Sequence, residues 1–239
     1  MSEVRDISQA RVILASGSPR RRAYLERLGV DFFVMSSDIP EPLPQHIPPE
    51  QNAKNLSLEK ARAVAARVRQ SHPELSAVVL GSDAIVATAN NEQLAKAETE
   101  VEAREMLGKL FGSKSLVVTG VAIIDLTSGD EISDVSVTEV YFRSLNEPGV
   151  SDALETYIAS EDWRDKAGAY GIQSGAAPLI SGIRGEYATI IGLPIAKTRR
   201  LLADYGIETK EIDDVLPLTS SSLDLVSKYR EENEQVQSN

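Results

Sequence analysis

The sequence predicts an α/β fold: a mixed twisted sheet flanked by helices. Three observations predict it. Apolar runs of strand length alternate with helical periodicities through the first half of the chain, the pattern of strands joined by helical crossovers. Two long strand-like segments then flank a Thr-Ser-Gly-Asp-Glu turn and add an antiparallel hairpin to that sheet. Finally, 42% apolar and 26% charged residues over 239 positions are enough for a sizeable core and exclude global disorder.

The elements follow in order. Residues 1–10 are polar and read as an N-terminal tail. Residues 11–16 are a short apolar run closed by Ser16, a buried strand. Ser18 followed by Pro19 is a helix start, and Gly29 stops that helix. Residues 31–35 read as a second strand. The five prolines between 36 and 50 forbid regular structure. A helix runs from about Glu50 to Arg69, and residues 76–89 form a strand with a polar break at Ser82-Asp83. An amphipathic helix occupies 98–112 and closes at Gly112. The hairpin takes 115–126 and 132–145, residues 148–160 are helical, and 161–178 is a Gly-rich loop. Residues 187–195 read as a strand entering a turn, and the last core helix spans Pro194 to Tyr205. From there the composition turns polar, so a domain over 11–207 is followed by a C-terminal tail over 208–239.

A formal net charge of −11 argues against a general nucleic-acid binder, whose phosphate contacts demand the opposite sign. With no cysteine, thiolate catalysis and thiolate metal sites are excluded. The two histidines, His46 and His72, both sit in loop contexts beside prolines, which disfavours a histidine zinc site. No signal peptide and no run long enough to span a bilayer is visible, so the expectation is a cytoplasmic protein that avoids membranes.

The sharpest feature is Arg20-Arg21-Arg22 directly after a helix start, where the backbone already disfavours cations. Arg22 aligns with Glu26 at i, i+4, an ordinary solvent-face pair. Arg20 and Arg21 instead share rows with the apolar residues Tyr24, Leu25 and Leu28, and a cation buried there needs an anionic partner. One solution is an internal salt bridge. The other is a bound phosphate group, held by the Ser16 and Ser18 hydroxyls, the free amides of the helix start and two guanidinium forks. Lys60 repeats the pattern, lying between Leu56 and Val64 on an apolar row, so it either snorkels outward or points into a site. Together with the arginines, the second reading is preferred. Asp83 interrupts an apolar strand and serves either a turn or chemistry.

These residues fall in segments that resemble the Maf family of nucleoside triphosphate pyrophosphatases: "SGSPRRR", "LSLEKARA", "VVLGSDAIV", "LAKAETEVEAREMLGKLFG", "VVTGVAI", "DKAGAYGIQ" and "YATIIGLPI", in order. The resemblance covers about residues 11 to 205. It implies two lobes around a central cleft related to that of inosine triphosphate pyrophosphatases. The implied reaction splits a nucleoside triphosphate between the α- and β-phosphorus with a divalent cation such as Mg²⁺, Mn²⁺ or Co²⁺. "DKAGAYGIQ" is similar to the dTTP/UTP branch, which extends to modified pyrimidines. The resemblance also implies a homodimer. The chain departs from the family's usual Ala-Asp-Thr at Ser82-Asp83-Ala84, and from its usual Leu-Gly-Lys-Pro at Leu94-Ala95-Lys96-Ala97.

The resemblance makes Asp83 the general base and a metal ligand. Glu41 is either a second metal carboxylate or a solvated loop acid, since magnesium sites need only one or two carboxylates beside phosphate and water. Ser16, Ser18, Arg20, Arg21 and Lys60 hold the phosphates, and Lys96 and Lys166 neutralise charge on the leaving group. Ala84 stands at a position that tunes base choice, and Gln173 presents an amide that can read a pyrimidine edge. Trp163, Tyr170 and Tyr187 are expected to pack in the core. A Walker-type reading of 108–115 fails, because Ser113 separates Gly112 from Lys114. The rival reading is a non-catalytic nucleotide-binding regulator of cell division, which would not need Asp83.

Overall fold

The computed structural model describes residues 6–212. The predicted C-terminal tail lies outside the described residues apart from its first positions. At the other end, a 3-10 turn at Ile7–Gln9 places the buried Ile7 in one apolar cluster with Ile13 of the first strand and Ala15 just after it.

One seven-stranded sheet organises the molecule. β1 (Val12–Leu14), α1 (Pro19–Arg27), β2 (Phe32–Val34), α2 (Pro49–Ser71) and β3 (Val78–Thr88) form its parallel part. β1 lies between β2 and β3, so the chain leaves β1 in one direction and returns past it in the other. Such a switch opens a crevice at the carboxyl ends of the strands. β3 is much longer than β1: the register ends at Leu14 opposite Leu80, and residues 81–88 project past the start of α1. The sheet continues antiparallel through β5 (Lys114–Asp125), β6 (Glu131–Phe142) and β7 (Ile180–Arg184), while β4 (Gln93–Leu94) pairs with the far end of β3.

The alternation of strand residues divides the core. α2 packs Ala61, Val64, Ala65 and Val68 on the face that presents Ile13, Val79 and Ile124. On the other face Leu14, Leu80, Val121 and Ile123 meet α1, α3 (Glu100–Gly108), α4 (Val150–Ala159), α5 (Tyr187–Ile191) and α6 (Ile195–Ala203). α3 begins at a capping box in which Thr99 and Glu102 satisfy each other's end groups. α2 lies unusually deep. A Cβ on Gly81 would meet the Ser57 carbonyl oxygen at 2.2 Å, and one on Gly120 would meet that of Ala53 at 2.1 Å. Only glycine at both sheet positions lets the helix backbone reach the strands, which brings Lys60 down onto the sheet.

Three expectations are corrected. The strand over 76–89 does not break at Ser82-Asp83: β3 is continuous, with Ser82 opposite Val121 and Asp83 opposite Gly120. The ladder uses backbone groups alone, so a carboxylate is tolerated once a cation meets it. Residues 187–195 hold no strand. Tyr187–Ile191 is helical and Gly192, at φ +101°, ends it, with Pro194 as the N-cap of α6. The β-branched Thr189, Ile190 and Ile191 imitate a strand in sequence, whereas the edge strand is 180–184, just beyond the loop. Finally, Ser18 makes no side-chain cap bond to α1. The Ser16 hydroxyl takes that role, accepting from the Ser18 amide at 3.2 Å.

Candidate active site

The crevice holds a cavity of about 500 Å³. Ser18, Arg20, Arg21, Glu41, Lys60, Asp83, Ala84, Lys96, Lys166 and Gln173 all line it, so nine of the ten positions assigned to substrate or catalysis, and both assigned to metal, converge on one space. Ser16 is the exception. It is buried behind the wall, where its hydroxyl accepts from Arg21 Nη1 at 2.9 Å. Five cations and four carboxylates line the cavity, giving a small positive excess inside a chain of net charge −11. The positive patch is therefore local, as a site for a polyanion requires.

At its centre Lys60, 5% exposed, joins two acids. Its Nζ donates to Asp83 Oδ1 and lies 2.5 Å from Glu41 Oε1. Lys60 thus points into the site and does not snorkel. Asp83 comes from the projecting half of β3, and Glu41 from the proline-rich segment. Burial pushes the Asp83 carboxyl above the usual aspartate range, against the pull of Lys60 and Arg21. Burial acts on Glu41 in the same sense, but the bond to Lys60 and its charge outweigh it and hold that carboxyl below the usual glutamate range. Glu41 is half-exposed, which leaves it in contact with solvent.

Arg21 does not form the internal salt bridge that helix-row burial suggested. Its Nε donates to the Gly192 carbonyl at 2.8 Å and its Nη1 to Ser16 Oγ, both neutral acceptors. Burial lowers its pKa from the ordinary arginine value, opposed by Asp83 and Glu41. The guanidinium is fixed by neutral partners, so its charge remains available to a ligand. Ser82 supports the same carbonyl, its hydroxyl lying 2.8 Å from both Gly192 O and Gly120 O. Arg20 is exposed rather than buried and makes no ion pair among the described residues. The first turn of α1 lies at the cavity mouth, where its row is not yet covered by Tyr24 and Leu28.

The opposite wall is the loop 161–175. Lys166 Nζ lies 3.0 Å from Asp162 Oδ1, and Asp162 Oδ2 accepts from the Gly175 amide at 3.0 Å. Asp162 was not singled out from sequence, although its i, i+4 spacing to Lys166 is a readable sign. Gly192 was missed too, because a backbone acceptor leaves no side-chain signature. Trp163 packs as expected, 1% exposed with its Nε1 on Ile158 O at 3.1 Å, and Tyr187 is fully buried. Tyr170 packs against Phe142 but also lines the cavity. Among the described residues no cluster of three or more His, Asp or Glu side chains gathers for a metal, and no helix is long and apolar enough to cross a membrane.

Fold and site together define an α/β protein with a charged cleft at the switch point of a mixed sheet, lined by five cations and four carboxylates around a Glu–Lys–Asp triad. The chain belongs to the Maf-like protein family, whose profile matches residues 11–205. It is 40% identical over 199 residues to the dTTP/UTP pyrophosphatase of Moorella thermoacetica, covering 83% of this chain and 97% of that protein. It is 40% identical over 194 residues to the dTTP/UTP pyrophosphatase of Alkaliphilus oremlandii, covering 81% and 95%. A third relative of that name, from Bacillus cereus, is 39% identical over 198 residues, covering 83% and 97%.

Proposed function

We propose that this protein hydrolyses nucleoside triphosphates at the α–β anhydride, releasing a nucleoside monophosphate and pyrophosphate, with dTTP, UTP or modified pyrimidine triphosphates as substrates. The observation that carries this reading is the junction of Arg21, Lys60, Glu41 and Asp83 in one cavity large enough for a nucleotide. The relatives' names supply the nucleotide class. Arg20 and Arg21 grip the phosphate chain, and the helix start beside them adds its amides.

Asp83 acts as general base. Its carboxylate takes the proton of a water whose oxygen forms a bond to the α-phosphorus. The bond from that phosphorus to the bridging oxygen breaks, and pyrophosphate leaves. An aspartate raised by burial is a stronger base than an exposed one, and the charges of Lys60 and Arg21 favour its ionised form against that burial. Lys96 and Lys166 face the charge that builds on the leaving group. Ala84 and Gln173 border the space left for the base, and Gln173 can both donate to and accept from a pyrimidine.

A divalent cation fits this donor set. Glu41 and Asp83 each turn one oxygen to Lys60 and keep a second hard oxygen donor beside it, and Mg²⁺ sites commonly use one or two carboxylates completed by phosphate oxygens and water. When bound there it would polarise the phosphate oxygens and offset their charge. The test is a panel of canonical and modified nucleoside triphosphates, assayed for pyrophosphate release with Mg²⁺, Mn²⁺ and Co²⁺ and without metal. Pyrimidine triphosphates should turn over fastest. Tight binding with no pyrophosphate released from any of them would favour the non-catalytic regulator instead.

A further inference from the structure

Gln93 stands outside the cavity at the start of β4, and it is 4% exposed. A buried amide is costly unless all its groups are satisfied, and here all are. Its Nε2 donates to Pro44 O at 2.9 Å and to Ile47 O at 3.0 Å. Its Oε1 accepts from the buried Asn52 Nδ2 at 2.8 Å. Gln45 closes the arrangement from the other side, its Oε1 accepting from the Gln93 amide at 2.9 Å and its Nε2 donating to the Gln93 carbonyl at 3.0 Å. Asn52 also reaches Pro42 O at 3.3 Å.

Apart from the Gln93–Asn52 bond, these contacts fall on the proline-rich segment that carries Glu41. Prolines at 40, 42, 44, 48 and 49 deny that segment a regular ladder. Side-chain amides from β4 and α2 therefore do for its carbonyls what a neighbouring strand would do. On its other side the same short stretch holds the opposite wall of the cavity: Ala95 O accepts from the Gly168 amide at 2.9 Å, and Lys96 pairs with Ala167, next to Lys166. Residues 93–96 thus strap the Glu41 segment to the loop that carries Lys166 and Gln173.

We propose that Gln93 is a positioning residue that acts through Glu41, its amide fixing the segment that delivers the Glu41 carboxylate to Lys60. The inference rests on the reading of Glu41 as part of the reaction site. A proline-rich segment cannot hold a carboxylate in place by itself, and the clasp of three amide side chains supplies that hold. An apolar replacement takes the Gln93 donor from the Ile47 carbonyl and leaves Pro44 O with the Ile47 amide at 3.2 Å, and a displacement of the order of an ångström at a reacting group costs rate out of proportion to stability.

The test combines a double-mutant cycle with amide hydrogen exchange. Gln93→Met keeps length and burial while removing every side-chain hydrogen bond. Gln45→Ala removes the outer half of the clasp from an exposed position and serves where Gln93→Met fails to fold. Each variant should lower kcat/KM by about tenfold in the native background, with kcat falling more than KM rises. In a Glu41→Gln background each should cost less than about twofold, because the group it positions is already gone. Exchange should quicken in both variants, whatever the activity, at the two amides the clasp holds: Ile47, which donates to Pro44 O at 3.2 Å, and Gln93, which donates to Gln45 Oε1. Equal losses in the two backgrounds overturn the proposal, as does unchanged exchange at Ile47 and Gln93. If the native protein releases no pyrophosphate from any nucleotide, the functional reading fails, and exchange still decides the clasp.

Discussion

Lys60→Met isolates the electrostatic centre of the site. Methionine matches the lysine stem in length and fills the same space among Leu56, Val64 and the sheet, so packing is nearly conserved. What disappears is the cation shared by Asp83 and Glu41. Removing one partner of a buried pair costs about 3–5 kcal/mol, because the other charge stays behind uncompensated. Glu41 is half-exposed and water relieves it, whereas the Asp83 side chain is only 6% exposed and is not relieved. The lower end, about 3 kcal/mol, therefore applies at neutral pH. At roughly 2–4 °C per kcal/mol for a chain of this size, Tm falls by about 6–12 °C. The sign of the pH dependence follows from the two carboxyls. Asp83 has a folded pKa above its unfolded value, so it burdens the folded state above that pKa and the burden lifts as pH falls through it. Loss of Lys60 raises it further and enlarges that burden. Glu41, held below 4.5 in the native protein, contributes stability that is lost as pH falls through its folded pKa, and the variant keeps only the part that Lys96 and Arg21 supply. Both effects narrow the gap between the proteins on acidification. Thermal unfolding of both, from about pH 8 to about pH 4, measures it. A Tm within about 1 °C of the native protein at neutral pH, or a gap that widens in acid, would refute the assignment of an ionised triad.

Asp83→Asn should lower turnover by about 10²–10⁴-fold while calorimetric affinity for a non-hydrolysable triphosphate stays close to native; lost affinity with retained turnover at saturation contradicts the base assignment. The acid limb of kcat/KM against pH should lie above the ordinary aspartate range, following the direction in which burial moves Asp83, and a limb at or below that range would assign the base elsewhere. Arg21→Ala should weaken triphosphate binding by about 10- to 100-fold, since hydrogen bonds to charged groups are worth about 1.5–3 kcal/mol; a lower Tm with unchanged affinity would make Arg21 purely structural. Gly120→Ala forces α2 away from a contact of 2.1 Å at the Ala53 carbonyl, with an expected cost of about 1–3 kcal/mol and a further loss of kcat as Lys60 retreats from Asp83.

How much of this was legible in the sequence divides along a physical line. Elements whose own residues dictate them were readable: the Ser18-Pro19 start of α1, the periodicity of α2, and the long hairpin around Gly129 all stand close to where the pattern puts them. Errors arose where tertiary context overrides local preference. Asp83 looks like a strand breaker because an isolated carboxylate in an apolar run is expensive; it is affordable only because α2, seated on Gly81 and Gly120, lowers Lys60 onto it. Residues 187–191 look like a strand because Thr189, Ile190 and Ile191 are β-branched, yet they form a short helix that Gly192 ends and that Pro194, capping α6, follows directly. The candidate site shows the same division. Side chains that announce themselves by charge in an apolar row, Arg21 and Lys60, were found from spacing. The groups that hold them could not be, because Gly192 acts through its carbonyl and Gln93 through an amide placed far from Glu41 in sequence. Sequence periodicity identifies a charge that lacks a local reason to be where it is; only the fold shows which neutral groups aim it. For Arg21 this difference decides the chemistry, since a guanidinium held by Ser16 and Gly192 keeps its charge for a ligand, whereas one held by a carboxylate would have spent it.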